Sequence, residues 1–202
     1  MSTTRTAVRT HWVAIRAMLL FTLVLGVAYT LVVTGLGQAI LPAQANGSVV
    51  RSGGEVTGSA LIGQSFADAA GDPLPEWFQP RPSGAGDGYD GGASSGSNLG
   101  PENADLIATI EMRKAQVAGF NGVAESDVPV DAVTASASGL DPHISPEYAR
   151  FQVARVAAAR DLPEPDVAEL VESRIQARDL GYLGEPTVNV LQLNLALAEL
   201  EG

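Results

Sequence analysis

The sequence predicts an α+β protein with one N-terminal transmembrane helix followed by a single mixed extracytoplasmic domain. Three observations predict this class: a long charge-free apolar segment near the N-terminus, three arginines before it with no further charge until Arg51, and alternating helix and strand patterns after it. The corresponding division is a basic cytoplasmic N-terminus over residues 1–16, a transmembrane helix over 17–41 and the outer domain over 42–202.

The membrane helix is predicted from Ala17 to Ile40, a stretch in which Gln38 is the one strongly polar side chain. At 1.5 Å per residue such a helix covers about 36 Å, enough for a hydrocarbon core of about 30 Å. Arg5, Arg9 and Arg16 are the only charges before Arg51. By the positive-inside rule the N-terminus is therefore expected in the cytoplasm and the later domain outside.

A cleaved signal peptide is the alternative for this segment, because Ala43-Gln44-Ala45 has the form of a cleavage site. The apolar stretch is much longer than the 7–15 residues typical of a signal peptide, which favours an uncleaved anchor. Small residues such as Gly26, Thr30, Thr34 and Gly37 would let a second helix approach closely.

Composition excludes several classes of function for the outer domain. The nine basic residues after the apolar segment face all 23 acidic residues of the chain, so nucleic acid is an unfavourable partner. The chain has no cysteine, which excludes a disulfide, a thiolate metal site and a catalytic thiol. Two histidines are too few for a histidine-built metal site.

The first half of the outer domain is predicted to be one short strand followed by a long loop. Residues 55–64 mix β-formers with glycine and are typical of a strand with a bulge. Residues 68–101 are rich in Gly, Pro, Ser and Asp but contain Trp77, Phe78 and Tyr89. Such a segment is either a disordered linker or a functional loop, and its aromatic residues favour a loop that docks on a surface.

Four helices and a short strand are predicted in the second half. The first helix covers 103–118 and ends at Gly119; the second starts at Ser145-Pro146-Glu147 and continues to about Arg160. Another opens at Pro165-Asp166. The final segment, 188–200, is predicted as a short strand to Val190 followed by a helix. The residues expected to face inward are Leu106, Ile110, Val117, Ala149, Val153, Val156, Ala157, Val167, Leu170, Val171 and Ile175.

Two patterns suggest a phosphate-binding or a catalytic site, and both have simpler explanations. The glycines of 84–100 lack the Gly-Lys-Ser/Thr of a phosphate-binding loop, so a flexible glycine-rich loop is favoured. Ser138, Asp141 and His143 are the residue types of a hydrolase triad, but a triad needs a fold that places them around an oxyanion hole. An anchored extracytoplasmic hydrolase and a free-standing binding domain remain alternative functions.

Several longer phrases, in one order after a single N-terminal span, resemble the KdpC family, the C subunit of the Kdp potassium-transporting P-type ATPase. Each phrase is weak alone, but the ordered set is specific and covers nearly the whole chain. Trp77-Phe78 stands where the family commonly has Tyr-Phe, and 87–92 is richer in glycine than expected. The phrases are SALIGQSF (59–66), WFQPRPS (77–83), SSGSNL (94–99), PVDAVTASASGLDP (129–142), HISP (143–146) and VNVLQLNLAL (188–197).

The resemblance implies a non-catalytic subunit of a high-affinity, ATP-driven potassium uptake complex in the plasma membrane. The implied partners are a channel-like potassium-binding subunit (KdpA), an ATP-hydrolysing P-type subunit (KdpB) and a small single-span subunit (KdpF). The implied role is to assemble and stabilise these subunits and to assist nucleotide binding indirectly. No cofactor is expected on this chain, since ATP and potassium are handled by the complex.

Six residues of the resembling phrases are candidate contacts with partners. A Trp-Phe pair in a Gly/Pro/Ser-rich loop is unfavourable to leave in water, and aromatic anchors dominate many interfaces. The alternative is that both rings fold back onto the core of their own domain. The candidates are Gln64, Phe66, Trp77, Phe78, Arg81 and Asn98.

Overall fold

The computed structural model describes residues 2–200, with side chains described from residue 6 onward. The chain separates into two compact units, with the boundary between Val49 and Val50. The protein is α+β, with one N-terminal transmembrane helix in the first unit and mixed helix and sheet in the second.

The first unit is one long helical run. It consists of α1 (Ser2–Phe21), a π-helical segment (Thr22–Ala28) and α2 (Tyr29–Ile40), followed by the single turn α3 (Pro42–Ala45). The part from Thr6 to Ile40 is long and apolar enough to cross a membrane. Helical structure therefore extends well before Ala17, where the charge-free stretch begins.

The π-helical segment was not predicted from sequence. Its wider turns shift the hydrogen bonds by one residue, so that the Tyr29 N–H reaches the Val24 carbonyl. Within a bilayer every backbone polar group must be satisfied inside the segment. The Thr30 hydroxyl contributes here, because it donates to the Gly26 carbonyl at 3.0 Å. At the other end of the span, the Gln38 amide pairs with the Asn46 amide at 3.0 and 3.3 Å.

The second unit begins with a two-stranded hairpin rather than a single strand. The strand β1 (Val49–Ser52) pairs with β2 (Glu55–Ser59), and the turn between them is Gly53-Gly54. Both glycines have positive φ, +59° and +89°, as the tight primed turns of hairpins require. The predicted strand over 55–64 therefore ends at Ser59.

The rest of this unit packs helices around a small antiparallel sheet with β5 in the centre, in the order β3-β5-β4. Ile144 of β3 and Ile175 of β4 both pair with Val188 of β5, which is fully buried. The elements are α4 (Ala104–Asn121), β3 (His143–Ile144), α5 (Pro146–Phe151), α6 (Val153–Arg160), α7 (Glu164–Ser173), β4 (Ile175–Gln176), β5 (Thr187–Asn189) and α8 (Val190–Glu199), with 3-10 turns at Glu125–Asp127 and Val130–Ala132.

Most predicted helix starts are confirmed. Asn103 caps α4 by accepting from the N–H groups of Asp105 and Leu106, and Ser145 caps α5 by accepting from the Tyr148 N–H. The short strand before α8 is also confirmed, because β5 ends at Asn189 and α8 follows at once.

Three details of the helix predictions are wrong. Gly119 does not end α4, which continues until Gly122 takes the left-handed conformation, φ +68°. The helix predicted from Pro146 to Arg160 is interrupted at Gln152 (φ −88°, ψ −11°), which ends α5 and precedes α6 and whose side chain bonds to the backbone of Gln79. Ile175 lies in β4 rather than on the face of α7.

The core lies where the helices meet the central strand. The predicted inward residues Ala149, Val153, Val156, Val167 and Val171 are all buried. Leu191, Leu193 and Leu197 of α8 are buried as well, which leaves little of that helix in water.

Candidate functional site

The candidate site is built on an irregular segment, residues 74–84, which we call the strap. It contains no regular secondary structure, so its backbone groups need partners from elsewhere. Two buried amide side chains supply them. Asn194 accepts from the Phe78 N–H at 2.9 Å and donates to the Phe78 carbonyl at 3.0 Å. Gln152 does the same for Gln79, at 2.7 and 3.1 Å.

Each amide therefore replaces the neighbouring strand that a β-ladder would provide. Asn194 is 1% exposed and Gln152 is fully buried, so these hydrogen bonds form away from water. An unpaired buried amide is costly, which makes both contacts specific for one position of the strap. The break between α5 and α6 falls at Gln152, the residue that makes one of these pairs.

Two arginines of α6 hold the start of the strap. Arg155 donates to the carbonyls of Pro75 and Trp77 and to the side-chain oxygen of Gln152. Burial lowers the pKa of Arg155 to about 10, although the nearby Tyr148 and Glu76 oppose that shift. Arg160 donates to the Glu76 carbonyl at 2.7 Å, and its guanidinium lies 4.1 Å from the centre of the Trp77 ring.

The strap continues to a polar cluster around Asp141. Arg81 donates to the Thr134 carbonyl at 3.2 Å and forms an ion pair with Asp141 at 3.1 Å. Asp141 also accepts from the His143 N–H at 3.0 Å, with His143 Nδ1 at 3.3 Å. Burial alone would raise the pKa of Asp141, but the hydrogen bonds from His143 and the charge of Arg81 outweigh it, and the pKa is lowered.

The end of the strap is fixed by Ser83 and Tyr89. The Ser83 hydroxyl donates to the Gly139 carbonyl at 2.6 Å and accepts from the Tyr89 N–H at 2.8 Å. The Tyr89 hydroxyl returns to the Arg81 carbonyl at 2.7 Å, and burial together with the Asp141 charge raises the pKa of this phenol. Gly63 lies so close that a Cβ there would stand 2.4 Å from the Tyr89 ring.

The glycine-rich loop docks on its own domain instead of forming a free linker. Ser95 N–H donates to the Ser138 carbonyl at 3.0 Å, and the Ser94 hydroxyl donates to the same oxygen at 2.9 Å. A Cβ on Gly96 would stand 2.8 Å from the Ala137 carbonyl, so the two backbones touch at a distance that only glycine permits.

The six candidate contacts occupy different environments. The Phe78 side chain is fully buried in the core of its own domain, as the alternative interpretation proposed for it. Phe66 and Trp77 are half-buried with ring centres 6.0 Å apart. Gln64 is half-buried beside Gly58, and Arg81 is paired with Asp141. Asn98 is exposed and its backbone is left-handed, φ +53°.

Ser138, Asp141 and His143, the residue types of a hydrolase triad, lie between a bend and the start of β3 and are not arranged as a triad. Asp141 and His143 are in contact, but the Ser138 hydroxyl accepts from the Leu140 N–H at 3.1 Å and lies 3.5 Å from the Ser136 hydroxyl. Within residues 2–200 no hydrogen bond joins the Ser138 hydroxyl to His143, so the relay from Asp141 through His143 to a serine is not formed. Across residues 2–200, no three His, Asp or Glu side chains are grouped so that they could hold a metal ion.

The amide clamps were missed at the sequence level, although a signal exists. Gln152 lies between the buried positions Ala149 and Val153, and Asn194 lies between Leu193 and Leu197. A polar residue on an apolar helical face must find a hydrogen-bond partner when it is buried. Those two positions therefore indicate that irregular backbone packs on these helices, without indicating which segment supplies it.

Comparison with known proteins identifies the family. A family model described as "KdpC: K+-transporting ATPase, c chain" matches residues 11–199, which include the end of α1 and the strap with both of its clamps. The chain belongs to the KdpC family. The family match includes every residue of the Arg81 cluster and of the amide clamps, so these contacts lie within the shared domain.

Curated relatives match this chain over most of their own length. The "Potassium-transporting ATPase KdpC subunit" of Kineococcus radiotolerans is 58% identical over 86% of this chain and 85% of its own. The proteins of the same name from Caulobacter vibrioides and Mycobacterium tuberculosis are 55% and 50% identical, covering 91% and 93% of this chain and 90% and 96% of theirs.

Proposed function

We propose that this KdpC-family chain is the non-catalytic accessory subunit that assembles and stabilises an ATP-driven potassium uptake complex. The observation that carries the proposal is the family match over residues 11–199 together with one transmembrane helix. The named relatives are subunits of a potassium-transporting ATPase. The proposed partners are a channel-like potassium-binding subunit, the subunit that hydrolyses ATP and a small single-span subunit.

The proposed topology places the N-terminus in the cytoplasm and the domain after residue 42 outside. The support is the distribution of charge, because Arg9 and Arg16 precede the charge-free stretch that begins at Ala17 and no charge occurs again until Arg51. An outer domain has no direct access to cytoplasmic ATP. Any assistance to nucleotide binding therefore passes through the partner subunits as a coupling free energy.

The topology is testable because the chain has no native cysteine. Thr10→Cys and Ser52→Cys would be expressed separately and treated in intact cells with a maleimide that cannot cross the membrane. We expect labelling of the cysteine at position 52 and protection at position 10 until the cells are lysed. The opposite pattern would reverse the proposed orientation.

The proposed contact surface includes the exposed turn at Asn98 and Leu99. Leu99 is 40% exposed, and its neighbour Asn98 takes the left-handed conformation, φ +53°, which asparagine adopts readily. Asn98→Ala with Leu99→Ala should weaken co-purification with the partner subunits while leaving the thermal midpoint of the outer domain nearly unchanged. A large fall of the midpoint, or unchanged co-purification, would remove this turn from the interface.

A further inference from the structure

A groove between α4 and the strap has no part in the function proposed above. It encloses about 600 Å³, within the range of ligand pockets. One wall is a face of α4 at helical spacing, and the other is formed by the strap and the segment after it. We call it the α4 groove; its lining includes Arg113, Gln116, Val117, Phe120, Pro80, Pro82, Tyr89 and Tyr148.

Arg113 is a half-buried cation in this groove without a matching anion. Its one hydrogen bond goes to the Val133 carbonyl, at 3.3 Å, and no carboxylate in the described part of the chain pairs with it. Burial lowers the pKa of Arg113, with no neighbouring charge that offsets the effect. A partly desolvated guanidinium with unused donors is the group that carboxylates bind best.

Tyr148 adds a second unused polar group. The residue as a whole is only 3% exposed, but it lines the groove and its hydroxyl is not fully buried; within residues 2–200 that hydroxyl makes no hydrogen bond. The side-chain amide of Gln116, on the wall formed by α4, is exposed and likewise lacks a partner in the described chain.

The remaining lining is largely apolar or already occupied. Phe120, Val117 and two prolines of the strap present apolar surface. Arg81 also borders the groove, but its charge is matched by Asp141. The acidic residue of the lining, Asp72, is exposed at the rim. The groove therefore combines an anion receptor with apolar walls.

We propose that the α4 groove binds an extended peptide segment of another protein through one carboxylate, which Arg113 and Tyr148 receive. The Gln116 amide would pair with the peptide backbone, and apolar residues beside the acid would lie against Phe120 and the prolines. An open groove between a helix and a loop suits an extended chain better than a small enclosed metabolite. The domain is otherwise acidic, so attraction of the carboxylate must be local to Arg113.

The test uses the full-length chain in nanodiscs and does not depend on the proposed transport function. The probe is a mixture of blocked pentapeptides with glutamate in the centre and apolar residues elsewhere, compared by calorimetry with the same mixture carrying glutamine. We expect the glutamate peptides to bind more tightly. Arg113→Gln and Tyr148→Phe should each weaken binding by about tenfold or more, the loss expected for a hydrogen bond to a charged group.

Lys114→Gln is the matched control, because Lys114 is the next cation on α4 and does not line the groove. It should leave the affinity within about twofold. If Arg113→Gln fails to fold, Tyr148→Phe decides the question, since it removes only a hydroxyl. Equal binding of both peptide mixtures, an equal loss in Lys114→Gln, or binding of free glutarate as tight as that of the peptides would overturn the proposal.

Discussion

Replacing Asn194 by leucine should destabilise the outer domain strongly, although leucine has a similar size and suits a helix. The change leaves the Phe78 N–H and carbonyl without the partners they have at 2.9 and 3.0 Å, in a site that is 1% exposed. Each unpaired buried group costs about 1–3 kcal/mol, so the expected loss in free energy of unfolding is about 2–6 kcal/mol. For a domain of roughly 150 residues this corresponds to a midpoint lowered by about 5–20 °C.

The assay is urea unfolding of the full chain in nanodiscs, followed by Trp77 fluorescence in a Trp12→Phe background, since the chain has two tryptophans. Gln192→Leu is the control: it lies two residues earlier on α8, and its side-chain amide makes no hydrogen bond in the described part of the chain. A loss below about 1 kcal/mol for Asn194→Leu, or an equal loss for Gln192→Leu, would refute the clamp.

Three further predictions use the same assay. Gly63→Ala should destabilise by about 1–3 kcal/mol because its Cβ would meet the Tyr89 ring at 2.4 Å, whereas Gly91→Ala, with open space around it, should not. Phe78→Ala should cost about 3–5 kcal/mol as a core truncation, and a midpoint within a few degrees of wild type would contradict its burial. Because the pKa of Asp141 is lowered in the folded state, its carboxylate stabilises the fold above the unfolded pKa, and this effect is lost as pH falls through the folded pKa. The difference in free energy of unfolding between wild type and Asp141→Asn should therefore shrink from pH 5 to pH 3. A constant difference would count against the ion pair.

Regular elements were largely predictable from sequence because their signals are local. Ser145 followed by Pro146 marks a helix start through capping and ring geometry that need no tertiary information. The membrane helix follows from length and charge alone. The predicted helix boundaries were wrong where tertiary contacts decide them. An example is Gln152, where the helix is interrupted at a residue whose side chain bonds to the strap.

The candidate site was predictable only in part. The aromatic residues correctly indicated that the loop docks on a surface, but composition cannot distinguish a partner's surface from the domain's own core. The Phe78 side chain lies in the core of its own domain, and the Phe78 backbone is held there by two hydrogen bonds to Asn194, a residue 116 positions later. Pairings at such separation depend on the assembled helices, and no local pattern encodes them.

The central claim is that this chain holds the subunits of a potassium-transporting complex together without performing catalysis. The most direct measurement is to co-express the channel-like and ATP-hydrolysing subunits with and without the chain and to purify them through a tag on the channel-like subunit. With the chain present, we expect both subunits in one complex whose ATP hydrolysis is stimulated by potassium. A complex of the same composition and the same potassium-stimulated hydrolysis in the absence of the chain would contradict the account.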